Sequence, residues 1–203
     1  MFVPLNVNLE NKKILIIGGG KVALRKMNFF LQYCCDVEVV GKEIAQEIFQ
    51  VTENSNSRVN LLQREFKSTD LCGKYIVIIS TDNFKLNEEI ANKCEERGIL
   101  YTNCSNGELS SFSLPSVVKR GDLSIAISTN GKSPALSKNI KKEISDIYNN
   151  EYKEFLELLG ELRSVVLECE SDDRVKRKLL NEAVNMNINE LKEFINNYKG
   201  EKL

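Results

Sequence analysis

Ile14-Leu15-Ile16-Ile17-Gly18-Gly19-Gly20-Lys21-Val22-Ala23 is a short apolar run that ends in three glycines and passes directly into a segment of helical periodicity. A run this short and this apolar reads as a buried strand, and the glycines as the turn that carries the chain from strand into helix. Gly18 lets the chain turn tightly, Gly20 lets backbone come close to a phosphate, and Ala23 is small enough for the helix to pack on the strand. The helix start then offers free N–H groups and a positive dipole end to an anion. Val22, Ala23, Met27, Phe29, Phe30 and Leu31 supply the apolar helical face, and Lys12 and Lys13 precede the strand. Together these residues predict a cradle for a dinucleotide pyrophosphate. A glycine triplet also serves ordinary turns, so the weight of the reading lies in the strand and helix around it.

Working outward, strands and helices alternate. Val37–Val40 reads as a second strand, followed by Gly41-Lys42-Glu43 and a helix from about Ile44 to Val51; Val59–Leu62 reads as a third strand. Tyr75-Ile76-Val77-Ile78-Ile79 is a continuous apolar run, Ser80-Thr81-Asp82-Asn83 caps a helix that runs to Gly98, and Ile99–Thr102 is a fifth strand. Strands separated by helices form βαβ units and a parallel sheet, whose ligands bind outside the carboxyl ends of the strands. Those ends are residues 18–22, 41–43, 80–83 and 103–105. No aspartate stands at the tip of the second strand, so Lys42 and Glu43 are the candidates for the ribose hydroxyls, with a solvated-loop reading beside it. One lysine is a poor clamp for a 2′-phosphate and Glu43 repels one, which favours NAD over NADP.

The 203 residues suffice for one full domain and a smaller one, and the 28 basic and 29 acidic residues nearly cancel, against bulk binding of nucleic acid. The opening residues carry no basic and apolar leader pattern and no stretch is long enough to span a membrane, so a cytoplasmic protein is expected. Six cysteines, at 34, 35, 72, 94, 104 and 169, contain no CxxC pair, and with no histidine in the chain they suggest neither a metal site nor a disulfide framework. The missing histidine also leaves proton transfer to carboxylates, Lys, Tyr, Cys or water. Hydride transfer tolerates this, because the cofactor carries the hard step.

After Phe112 the pattern changes. A turn at Arg120-Gly121-Asp122 leads into an alternating strand to Ile127, and a helix begins near Ser133-Pro134 with Ser as cap and Pro in the first turn. Between Lys119 and Lys142 six basic residues face the single acid Asp122, a place for a polyanion. An ordinary solvated face accounts well for Lys138, Lys141 and Lys142 and less well for Lys132, beside a glycine at a helix start. From about Glu151 the chain is helical, and Phe155, Leu158, Leu159, Leu162, Val165, Val166 and Cys169 form one apolar stripe for a helical lobe or a partner subunit.

These blocks resemble the precorrin-2 dehydrogenase family, the dehydrogenase and ferrochelatase part of sirohaem synthases, over essentially the whole chain. The resemblance lies in Pro4-Leu5, Gly18–Lys26, Ser80-Thr81-Asp82, Phe112–Ser116, Arg120–Thr129 and Gly131–Leu136. It implies a Rossmann-like α/β domain over residues 1–112, a small mixed dimerisation segment over 113–148 and a helical C-terminal lobe over 149–203. It further implies NAD-dependent oxidation of precorrin-2 to sirohydrochlorin in a homodimer, and a possible separate chelatase partner. Gly18, Gly20, Lys21, Val22, Lys42 and Glu43 are then the expected NAD contacts, with Thr81 and Asp82 nearby, and Ser128, Lys132 and Ser133 the expected tetrapyrrole contacts. Many members carry an aspartate after the fifth strand, implicated in chelation and proposed as a base. Here Ser105 occupies the position, the one catalytic candidate of this chain, and metal insertion loses its obvious base unless Asp82, Glu108 or Asp122 compensates. Dehydrogenation with weak or absent metal insertion is therefore expected, and Ser105→Asp is expected to raise insertion. The competing reading is a non-catalytic, dimeric dinucleotide sensor or scaffold, which the basic segment around Lys132 disfavours.

Overall fold

The computed structural model describes residues 2–33, 35–53, 58–107 and 109–202, so Cys34 and Glu108 lie outside the described residues. Two compact units divide the chain, residues 1–114 and 115–203.

The first unit is a parallel sheet of five strands, β1 Lys13–Ile17, β2 Asp36–Gly41, β3 Val59–Gln63, β4 Ile76–Ile79 and β5 Leu100–Asn103, in the order β3-β2-β1-β4-β5. Successive side chains of a strand point to opposite faces, and both faces here are covered. Ile14 and Ile16 of β1 join Ile76 and Ile78 of β4 and Val37 and Val39 of β2 on one face, packed on α1 (Lys21–Phe30) through Ala23, Met27 and Phe30 and on α2 (Gln46–Glu53) through Ile48. Leu15, Ile17, Val77 and Ile79 point to the other face, against Leu71 of a 3-10 turn and Ile90, Ala91 and Cys94 of α3 (Phe84–Glu96). This double coverage is why β1 and β4 read as unbroken apolar runs. The strand order reverses between β1 and β4, the point beyond whose carboxyl ends open α/β sheets bind their ligands. The expected elements stand with small shifts: β5 and α2 each begin one or two residues late, and Gly41 is the last residue of β2.

In the second unit β6 (Ser116–Arg120) and β7 (Leu123–Ile127) form an antiparallel hairpin, with Gly121 at φ +59° in its turn, followed by α4 (Pro134–Ile147). Arg120 donates to the backbone oxygen of Lys119 and to Ser145 O and Oγ at 3.2 and 2.9 Å, holding a carbonyl of the last turn of α4. Three helices complete the unit: α5 (Glu151–Cys169), α6 (Asp173–Ala183) and α7 (Ile188–Lys202). The stripe on α5 had two possible partners, and the chain itself supplies one. Leu162 and Val166 are fully buried against Ala183, Leu191 and Ile195, with Phe155, Leu158, Leu159, Val165 and Cys169 around them. The stripe is thus the core of the helical lobe.

Candidate functional site

The glycine turn is clamped by backbone on both sides. Gly18 N donates to Val40 O at 2.8 Å at the end of β2, while Ser80 N and Ser80 Oγ donate to Ile17 O at 2.8 and 3.0 Å at the end of β4. Gly18 takes φ +115°, and a Cβ there would stand 2.5 Å from Ser80 O. Gly19, which the motif reading passed over, is the tightest of the three. A Cβ on it would meet Glu43 O at 2.1 Å and Ile44 Cα at 2.7 Å, and its own carbonyl accepts from Ala45 N at 2.9 Å. Gly20 differs, since a Cβ there would have nothing within 4 Å. Two glycines serve the fold and the third leaves open space beside the first turn of α1, whose cap provides no side-chain hydrogen bond and which contains no acidic residue. Lys21 and Val22 are the exposed first residues of that helix, and open space next to uncapped N–H groups is what a pyrophosphate requires.

At the end of β2, Lys42 pairs with Glu65 beyond β3 at 2.9 Å, both side chains 74% exposed. The hydrogen bond between them raises the lysine pKa and lowers that of the carboxyl. Glu43 is exposed, with its carbonyl on Gly19. Two carboxylates therefore lie at this edge with one lysine, already engaged.

Between the ends of β4 and β5 lies a neutral polar network. Asn87 of α3, fully buried, donates through Nδ2 to Thr81 O at 2.8 Å and to Ser105 Oγ at 3.0 Å, and accepts from Thr81 Oγ1 at 2.5 Å. Asn103, 2% exposed, accepts through Oδ1 from Ser105 N, Ser105 Oγ and Asn106 N at 3.1, 2.7 and 3.3 Å. Asn83 caps α3, its side chain accepting from Leu86 N at 3.1 Å, and Asp82 and Phe84 stand exposed beside it. Asn87, Asn103 and Phe84 were not singled out from the sequence. Asn87 had a legible signal, as the one polar residue in the inward stripe Asn87, Ile90, Ala91, Cys94. Nearby, burial lowers the pKa of Lys26 on α1, opposed by Cys104 and reinforced by Arg25. Crowding around the sulfur pushes the Cys104 thiol up against the pull of both cations, although the residue is exposed by area, so Cys104 stays a thiol.

The structure thus brings Gly18, Gly20, Lys21, Val22, Lys42, Glu43, Thr81, Asp82 and Ser105 to the carboxyl edge of one sheet. Ser128, Lys132 and Ser133 lie in the β7–α4 loop of the second unit. Ser133 caps α4 by accepting from Leu136 N at 3.2 Å, and Ser128 Oγ accepts from Asn130 N at 3.2 Å, so both hydroxyls are partly used by the loop. Lys132 is exposed. Among the described residues five cysteines are free thiols, no cluster of His, Cys, Asp or Glu is arranged to hold a metal, and no helix is long and apolar enough to cross a membrane.

Comparison with known proteins adds independent findings. Residues 5–116 match a family model described as "Putative NAD(P)-binding", and residues 120–147 one described as "Sirohaem biosynthesis protein central". A precorrin-2 dehydrogenase of Methanosarcina barkeri is 35% identical over 88% of this chain and 81% of its own length, and one of Bacillus subtilis is 30% identical over 79% and 98%. A siroheme synthase of Buchnera aphidicola is 29% identical over 87% of this chain, which spans only 37% of that protein. Among solved structures, SirC, a precorrin-2 dehydrogenase, shares the fold over 98% of this chain and all of its own, with a TM-score of 0.81 at 24% identity.

Proposed function

The chain belongs to the precorrin-2 dehydrogenase family, and from that premise we propose that it oxidises precorrin-2 to sirohydrochlorin with NAD as hydride acceptor, in sirohaem biosynthesis. The observation that carries the reading is the open space beside Gly20, framed by a glycine turn that backbone contacts clamp between β2 and β4. Gly20, Lys21 and Val22 would hold the pyrophosphate through backbone N–H groups and the positive end of α1, while Gly18, whose N–H is engaged by Val40 O, shapes the turn that brings them there. Glu43 and Glu65 at the β2 edge favour ribose hydroxyls over a 2′-phosphate, which selects NAD. Thr81, Asp82 and Ser105, beyond the ends of β4 and β5, would receive the other half of the dinucleotide.

NAD supplies the hydride-accepting carbon when bound. The chain's own contribution is to orient that carbon against the substrate and to exclude competing chemistry. The Thr81–Asn87–Ser105–Asn103 network contains no titratable group, and its neutrality suits a hydride step assisted by water rather than by a protein base. Insertion of a metal into sirohydrochlorin requires two pyrrole protons to leave, and we expect this chain to perform it weakly or not at all. Ser128, Lys132 and Ser133 are proposed contacts of the substrate carboxylates, with Lys132 the charge-bearing member.

We further propose that the protein acts as a homodimer. A two-stranded sheet is marginal alone, β6 and β7 pair with no third strand among the described residues, and Leu136 and Ile147 of α4 are 51% and 63% exposed. Mixing the purified protein with NAD and precorrin-2 tests the reaction: formation of NADH is the expected result, and NAD binding without turnover would support a sensor instead.

A further inference from the structure

Backbone groups fix the orientation of two buried amides, and that decides what the hydroxyl between them can do. Asn87 Nδ2 lies 2.8 Å from the Thr81 carbonyl, which only accepts, so the amide nitrogen must face it. Asn103 Oδ1 lies 3.1 and 3.3 Å from the backbone N–H groups of Ser105 and Asn106, which only donate, so the oxygen must face them. Ser105 Oγ stands 3.0 Å from Asn87 Nδ2 and 2.7 Å from Asn103 Oδ1. It therefore accepts from the first and donates to the second. Its only proton is committed to an amide oxygen, which passes no proton on. A hydroxyl oxygen has two lone pairs. The second has no partner among the described residues, and Ser105 is exposed at the carboxyl edge of β5.

We infer that Ser105 is a one-way hydrogen-bond acceptor for an N–H group of a bound ligand, held in that polarity by Asn87 and Asn103. It orients the ligand and neither gives nor takes a proton. The inference rests on the proposed function for the identity of the ligands, each of which offers such a group: the carboxamide of the nicotinamide and the pyrrole N–H of the tetrapyrrole. Asn87 and Asn103 act through Ser105 and are positioning residues.

The test uses the full chain with Ser105→Ala, which removes the acceptor, and Ser105→Thr, which keeps it. Ser105→Ala is expected to lose roughly fivefold in kcat/KM, the worth of one hydrogen bond, while Ser105→Thr keeps most of the activity. The shape of the pH profile should be the same in all three proteins. The 3-acetylpyridine analogue of NAD, which lacks the carboxamide N–H, separates the sources. If the carboxamide is the donor, the unsubstituted protein prefers NAD to the analogue and Ser105→Ala abolishes that preference. If a pyrrole is the donor, the preference is unchanged and the KM for precorrin-2 rises. Unaltered constants for both ligands in Ser105→Ala, or a limb of the pH profile lost with the hydroxyl, would overturn the inference. A protein that binds NAD without oxidising precorrin-2 would end the proposed reaction but not this test, because the carboxamide arm still reads: an unchanged preference for NAD over the analogue then overturns the inference.

Discussion

Three adjacent glycines have two different duties. Gly19 has no positive φ, so the obstacle to a side chain there is steric: Gly19→Ala drives a Cβ onto Glu43 O and should cost about 2–3 kcal/mol in chemical denaturation. Gly20→Ala meets open space and should leave the unfolding midpoint nearly unchanged while weakening NAD binding at least tenfold in a calorimetric titration, the loss of about 1.4 kcal/mol or more. Ser105→Asp carries a condition that the sequence did not disclose. A carboxylate there gains the Asn87 Nδ2 donor but sets an acceptor against Asn103 Oδ1, so one buried amide holds the charged form in place and the other opposes it. Metal insertion should accordingly rise further in Ser105→Asp/Asn103→Val than in Ser105→Asp, measured by the absorbance change on adding ferrous or cobaltous ion to sirohydrochlorin. Asp70 gives a pH prediction. The Arg64 guanidinium hydrogen-bonds it at 2.8 Å to each oxygen and, with the Lys67 N–H, outweighs burial to hold the carboxyl below the usual range. A lowered folded-state pKa stabilises fully above the unfolded value near pH 4 and is lost as pH falls through the folded one. Asp70→Asn should therefore cost about 1 kcal/mol at pH 7, since Arg64 is a third exposed, and the deficit should vanish as the pH is lowered through the folded-state value, read by urea unfolding.

At the scale of elements, periodicity decides what each segment covers. β1 after its exposed first residue Lys13, and β4 throughout, are apolar because each has a helix-covered face on both sides, whereas β7 alternates half-buried Leu123, Ile125 and Ile127 with exposed Ser124 and Ala126. α5 shows a stripe of helical period, and its two fully buried members, Leu162 and Val166, face α6 and α7. Leu162→Ala should destabilise the lobe by about 3 kcal/mol, seen as an earlier unfolding transition by circular dichroism, with no direct effect on NAD affinity. On α3 one stripe carries two tasks: Ile90, Ala91 and Cys94 pack on the sheet, and burial pushes the Cys94 thiol up to about 12, while Asn87 at the same face joins the ends of β4 and β5. Its position one turn into the helix is what lets it reach both.

For the molecule as a whole, each unit has its own core, two layers on the sheet in residues 1–114 and the α5–α7 core in 115–203. A ligand that binds only the folded state adds stability by mass action, about 2.7 kcal/mol at a hundred times its Kd. NAD should therefore raise the melting temperature, and hydrogen exchange should slow at the amides of residues 19–23. Light scattering at micromolar concentration should give twice the monomer mass of 23.1 kDa, and a monomer would remove the proposed dimer.

The sequence by itself determined the sheet, the glycine turn and the family, because these rest on local signals: apolar runs of strand length, glycines at a strand end, and blocks of residues in fixed spacing. It also placed Ser105 at the carboxyl edge of that sheet, just beyond β5. What it did not disclose depends on contacts between residues far apart in the chain. That Gly19 rather than Gly20 is the glycine the fold cannot replace follows from the β2–α2 turn, some twenty-four positions later, lying on it. That Lys42 is engaged by Glu65, and that the α5 stripe is covered by its own lobe, follow from pairings no local pattern encodes. The direction of the Ser105 hydroxyl is the clearest case. A serine can donate or accept, and only the two buried amides, oriented by backbone groups just beyond β4 and β5, leave it a single choice.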